Sequence, residues 1–179
     1  MKCVSLMLVL ELVVSLIPLL SLCNNCHFQK DLILLAHNDY RRIHSVNSLE
    51  WNDELAKSAE KEALKITKEK CDLPLYYSEL AGTNYLSVSK RLFNEGIAVQ
   101  FWYEGIKEYD FDKSGVLTRN PNVLAFTQLV WKNTKFIGCG VSCCSDNIVL
   151  VCRYHPFGNI PGQFSGNVFE KFYKSQGEL

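Results

Sequence analysis

Eight cysteines stand in this chain of 179 residues, and Cys139, Cys143, Cys144 and Cys152 crowd into one short stretch. That crowding limits the fold more than any other feature, because covalent staples there must sit on elements that are already close. The surrounding stretch, Phe126 to Asn159, reads FTQLVWKNTKFIGCGVSCCSDNIVLVCRYHPFGN. Cys3 and Cys23 fall in residues 1–23, which have the pattern of an export leader. Lys2 supplies a charge, Val4 to Leu20 is mostly apolar, and Ser21-Leu22-Cys23 places small residues before Asn24. The apolar run is shorter than the roughly 20 residues of a comfortable span and contains Glu11 and Pro18, so cleavage is expected rather than anchoring. Cys26, Cys71, Cys139, Cys143, Cys144 and Cys152 then remain. An even set in an exported chain predicts three disulfides, with the connectivity left open. No pair of CxxC knuckles occurs among these six, which argues against a thiolate metal site.

The remaining chain, 24–179, is expected to form one domain with a short tail from about residue 165, and no later stretch is apolar enough to span a membrane. Lys+Arg and Asp+Glu both number 19, so no basic excess points to nucleic acid. Phe28 to His44 reads as a helix, with Leu32, Leu35, Ala36 and Tyr40 at three- and four-residue spacing. His37 and His44, seven apart, share one face of it; bonds to backbone or water are the reading favoured over a pair of ligands. Asn52 is an N-cap for a second helix carrying Leu55, Ala59, Ala63 and Leu64, whose lysines and glutamates read as a solvated face. Cys71 to Tyr85 reads as irregular. A third helix is expected within Leu86 to Glu108, with Ile97, Phe101, Trp102 and Ile106 as core candidates. Asn120-Pro121 signals the start of a fourth helix over Asn122 to Val130. Phe136–Ser142 and Ile148–Tyr154 read as an antiparallel pair joined by a turn-rich linker, and Val168 to Tyr173 as a short amphipathic piece. Helices before and strands after predict an α+β fold with helices on the sheet faces.

Four ordered motifs resemble one family. Val149 to Ile160 is similar to its C-terminal signature, and Phe126 to Thr134, followed by Gly138-Cys139, to its second signature. His37-Asn38-Tyr40-Arg41 matches its HNxxR helix, and Trp102-Tyr103 with Ile106 and Tyr109 resembles its WYxEIxxY helix. The chain is thereby identified as a member of the CAP superfamily: cysteine-rich secretory, antigen 5 and pathogenesis-related 1 proteins, including helminth venom-allergen-like proteins. The resemblance implies a disulfide-stapled three-layer α-β-α sandwich. It also implies the pairs Cys139–Cys152 and Cys71–Cys144, with Cys26–Cys143 left over.

Members that bind divalent metal hold it with two His and two Glu. Against that pattern, no His follows Cys71, Glu79 stands at the first Glu, Gly105 at the second, and Ala125 at the second His. Glu104, one residue early, is turned about 100° away on a helix. The resemblance with those departures implies no metal, no cofactor and no enzymatic activity, proteolysis included. The family's lipid binding falls to an aromatic region, here Trp102, Tyr103, Tyr109 and Phe111, which would accept a sterol or fatty acid. The other reading is a secreted effector that engages an extracellular host or partner protein.

Overall fold

The computed structural model describes residues 26–69, 81–113 and 120–172. Helix α1 spans Lys30–Ile43, with Asp31 in its first turn and Arg41 and Arg42 in its last, the arrangement that the helix dipole favours. A two-residue strand, β1 (Glu50–Trp51), leads into α2 (Asp53–Glu69), and the Asn52 carboxamide caps that helix by accepting from the Leu55 amide at 2.9 Å. Strand β2 is Thr83–Ser89, α3 is Glu95–Tyr103, and a 3-10 turn continues over Glu104–Glu108. Asn120 caps α4 (Pro121–Leu129), with Pro121 in its first turn, where a missing N–H costs nothing. The hairpin β3 (Phe136–Cys144) and β4 (Asn147–His155) turns through Ser145, whose φ is 46°.

The sheet order is β1-β3-β4-β2, with β1 parallel to β3 and the other pairs antiparallel. Alternation along the hairpin sends side chains to opposite faces. Ile137, Cys139, Leu150, Cys152 and Tyr154 join the larger core with residues of α1, α3 and α4. Val149 and Val151 meet Ala59, Ala63 and Ile66 of α2 on the other face. The chain is therefore a three-layer α-β-α sandwich. The run Ile148 to Cys152 is apolar throughout because both of its faces are covered, and each fully buried Val or Leu contributes up to about 1.5–3 kcal/mol. Gly138 and Gly140 let α2 lie close on β3: a Cβ on either would stand 2.2 Å from a backbone nitrogen of that helix.

A disulfide joins Cys139 to Cys152, residues directly opposite across the hairpin with Cα atoms 4.1 Å apart. A second joins Cys26 to Cys143 at a Cα separation of 5.7 Å and ties the start of the described chain to the hairpin end. Cys144 is also disulfide-bonded, while the Cys71 half of the implied pair lies outside the described residues.

Several expectations need correction. Cys143 and Cys144 belong to β3 rather than to the linker, because the ladder continues to Cys144 opposite Asn147. The third helix lies within its expected range, at Glu95–Tyr103, but Thr83 to Tyr85 is strand rather than irregular and the strand runs on to Ser89, since β2 pairs residue by residue with β4. The segment between α1 and α2 ends in strand: Glu50 of β1 pairs with Phe136. In the tail, Val168 is buried while Phe172 is exposed. The faces of two helices also differ from the pattern. In α1 the buried residues are Ile33, His37 and Arg41, whereas Leu32 and Leu35 are 40% and 57% exposed. In α3 the core takes Ala98, Val99, Trp102 and Tyr103, whereas Ile97 and Phe101 are 45% and 52% exposed.

Candidate functional site

The inner face of α1 is polar and fully committed. His37 is buried completely, with Nδ1 2.7 Å from the Ile33 carbonyl and Nε2 2.8 Å from the Tyr154 hydroxyl. A carbonyl only accepts, so Nδ1 carries the proton and Nε2 accepts from Tyr154. The Tyr154 oxygen in turn accepts from the Asn84 amide at 3.2 Å, and that amide also donates to the Ala125 carbonyl at 3.0 Å. The chain of bonds is complete only with a neutral imidazole. Burial lowers the His37 pKa to about 4 and pushes the Tyr154 phenol up, so neither group titrates near neutrality. His44 repeats the device one heptad on: Nδ1 donates to the Phe169 carbonyl and Nε2 accepts from the Tyr103 hydroxyl at 2.9 Å. Burial lowers its pKa as well.

Arg41 is buried without a carboxylate partner. Its guanidinium donates to the carbonyls of Asn47, Leu129, Trp131 and Thr134 at 2.7–3.0 Å. Burial lowers its pKa to about 10, which leaves it charged at neutral pH. The fork of fixed donors thus gathers the end of α1, the end of α4 and the approach to β3 on one side chain. The Phe126–Trp131 motif continues this lattice. Thr127 donates to Asn159, the Gly158 amide donates to Gln128 at 2.7 Å, and Gln128 donates to Thr134. These motif residues hold the scaffold together, and their polar atoms are spent on each other.

Where a metal cleft would lie, the donors present do not fit a cation. Gly105 is buried against α4, and a Cβ there would stand 2.0 Å from the Asn122 carbonyl oxygen. No carboxylate side chain can leave that position without moving α4. Ala125 offers only a methyl, and its carbonyl is taken by Asn84. Glu104 is paired with Lys107, which holds its carboxyl below the usual range. Glu79 and the run after Cys71 lie outside the described residues. Among the described residues no group of His, Cys, Asp and Glu is arranged to hold a metal ion. The remaining histidines, His27 and His155, are exposed on the chain start and the end of β4.

The four aromatic candidates separate into two pairs. Trp102 and Tyr103 are core residues: the Trp102 indole donates to the Tyr85 carbonyl at 2.9 Å, and Tyr103 stacks on Tyr40 with ring centroids 3.9 Å apart. Tyr109 and Phe111 are half-buried, meet edge to face at 4.8 Å, and lie against Phe126. The Tyr109 hydroxyl is buried and has no hydrogen-bond partner among the described residues. The loop expected to complete this region, residues 114–119, lies outside the described residues.

Helices α1 and α3 lie side by side. The Gln29 amide bonds to the Glu95 carboxylate at one end, and Tyr40 stacks on Tyr103 at the other. Their outer sides carry Leu32, Leu35, Ile97 and Phe101. Ile97 and Phe101 are core candidates by sequence yet lie outside, and nothing local to Asn84 signals its role.

The chain matches the model of the CAP, or cysteine-rich secretory protein, family over residues 34–154. It is 35% identical over 141 residues to the human (Homo sapiens) Golgi-associated plant pathogenesis-related protein 1, covering 76% of this chain and 89% of that protein. It is 29% identical to venom allergen 5 of the wasp Polistes dominula, covering 75% and 70% of the two chains. Among solved structures, venom allergen-like protein 4 of Schistosoma mansoni superposes with a TM-score of 0.57 at 23% identity, covering 84% of this chain and 100% of that one.

Proposed function

Because this chain belongs to the CAP family, we propose that it is a secreted, non-enzymatic member that binds a lipid, either a sterol or a fatty acid. The observation that carries the reading is the set of large apolar side chains that α1 and α3 leave exposed. Helix α1 buries His37 and Arg41 beside Ile33, α3 buries Ala98, Val99, Trp102 and Tyr103, and the two leave Leu32, Leu35, Ile97 and Phe101 outward, at 40%, 57%, 45% and 52% exposure. Large apolar side chains left exposed on two neighbouring helices mark a place where an apolar ligand or partner is covered from water. Tyr109 and Phe111 add an aromatic wall beside α4, and the unpartnered Tyr109 hydroxyl offers one polar anchor.

Catalysis has no support in the same region. His37, His44, Tyr103 and Tyr154 are locked into bonds with one another and with backbone, and the positions that would hold a metal carry a glycine and an alanine. Export is supported by the leader pattern of residues 1–23 and by disulfides at Cys139–Cys152 and Cys26–Cys143.

The reading is tested by titrating the purified protein with a fluorescent sterol and, separately, a fluorescent fatty acid. Saturable binding to at least one is expected. Leu35→Ser with Phe101→Ser should weaken it if the α1–α3 surface is the site, and Tyr109→Ala with Phe111→Ala if the aromatic wall is. No saturable binding of either probe would remove the reading.

A further inference from the structure

The outer face of α2 gathers its lysines in one stripe, with Glu54 at its N-terminal end. At about 100° per residue, Lys57, Lys61, Lys65 and Lys68 fall within an arc of roughly 80°, opposite the buried Ala59, Ala63 and Ile66. The stripe is about 16 Å long at a rise of about 1.5 Å per residue. All four lysines are exposed. Lys57 pairs with Glu54 at 2.9 Å, but among the described residues Lys61, Lys65 and Lys68 have no carboxylate partner.

A second feature adjoins the stripe. Ser58, Lys61, Glu62, Leu64, Lys65, Lys68 and Arg153 line an open recess of about 600 Å³. Arg153 extends from β4, beyond Val149 and Val151 on the face that α2 covers. Its Nε is buried with no hydrogen-bond partner, and its guanidinium is only loosely engaged by Glu62, at 3.9 Å. Four cations thus converge on one recess that holds a single carboxylate. This occurs in a chain with no net charge, so the concentration is local.

We infer that this stripe and recess form a binding site for a linear sulfated polysaccharide. Four donors along one helix, with Arg153 offering the planar fork that matches an oxyanion, suit a ligand bearing repeated oxyanions along its length. A flat anionic bilayer suits it less. Asp53, Glu60 and Glu62 flank the lysines, Glu54 closes the N-terminal end of the stripe, all four would meet the same surface, and Leu64 is the one large apolar side chain in the recess lining available to insert. A narrow chain passes between the flanking carboxylates, which is why shape as well as charge selects it.

The probe is a size-defined heparin oligosaccharide, titrated calorimetrically into the full chain at physiological ionic strength. Its desulfated form and phosphatidylserine vesicles serve as comparison arms. Saturable binding that weakens as salt is raised is expected, with at least about a tenfold loss in Lys61→Gln/Lys65→Gln/Lys68→Gln. Arg153→Lys, which keeps the charge and removes the fork, should lose less. A triple variant of equal charge change elsewhere, Lys113→Gln/Lys132→Gln/Lys135→Gln, should bind like the parent. Unfolding midpoints of all variants identify any that lost the fold, and the Arg153→Lys arm remains readable if the triple is unstable. Equal losses in the two triples, equal binding of the desulfated sugar, or binding to vesicles alone would overturn the inference.

Discussion

Lowering the pH from about 7.5 to about 4.5 should destabilise this protein through His37, in a way a single substitution removes. The folded imidazole has its pKa lowered from 6.5 to about 4, chiefly by burial. The unfolded chain binds a proton in that window that the folded chain refuses. The contribution is therefore fully present above pH 6.5 and is lost as pH falls towards 4. The loss is about 1.4 kcal/mol per pH unit between those values and reaches about 3 kcal/mol. The bonding explains why no rearrangement offsets it. A protonated Nε2 would face the Tyr154 hydroxyl, whose hydrogen would then need another acceptor while its oxygen is held by Asn84. The assay is denaturant unfolding with disulfides intact across the pH range, on the parent and on His37→Gln. His44, shifted the same way by burial, remains in both, so the difference in pH slope isolates His37. Identical slopes for the two proteins between about pH 6.5 and 4.5 would refute the reasoning.

Other consequences follow from the same contacts. Gly105→Ala should cost about 1–3 kcal/mol or more in urea unfolding, because its Cβ would stand 2.0 Å from the Asn122 carbonyl oxygen; a neutral substitution would contradict the packing of the 3-10 turn on α4. Arg41→Lys should be destabilised by more than about 3 kcal/mol, since one ammonium cannot reach four carbonyls spread over residues 47–134, and thermal unfolding reads this directly. Replacing Cys139 and Cys152 together by Ser should cost about 3 kcal/mol, the effect of a short closed loop, measured as a lower unfolding midpoint.

The parts of the fold that were legible in the sequence are those whose signals are local. The Asn120-Pro121 start of α4, the Asn52 cap of α2 and the continuous apolar run of β4 each state their own role. Strands β1 and β2 were not legible, because two residues carry no periodicity and Thr83–Ser89 owes its form to seven register partners on β4. The inner face of α1 escaped the pattern for a related reason. Beyond the local carbonyls of Ile33 and Asn47, His37 and Arg41 are satisfied in the core by Tyr154, Leu129, Trp131 and Thr134, all far along the chain. Ile97 and Phe101, core candidates by sequence, lie outside, and the apolar spacing of Leu32 and Leu35 marks the helix but not its buried face. The absence of ligands at Gly105 and Ala125 could be read from the family motifs, but only the structure shows that Gly105 has no room for any side chain.

Native mass spectrometry of the protein as recovered from expression tests the central claim most directly, because it weighs whatever the chain carries. The account predicts a population heavier than the bare chain by the mass of one sterol or fatty acid, which collapses to the bare mass on denaturation, with no metal adduct. Protein that carries a stoichiometric divalent metal, or that never carries or takes up a lipid when sterol and fatty acid are supplied, would contradict it.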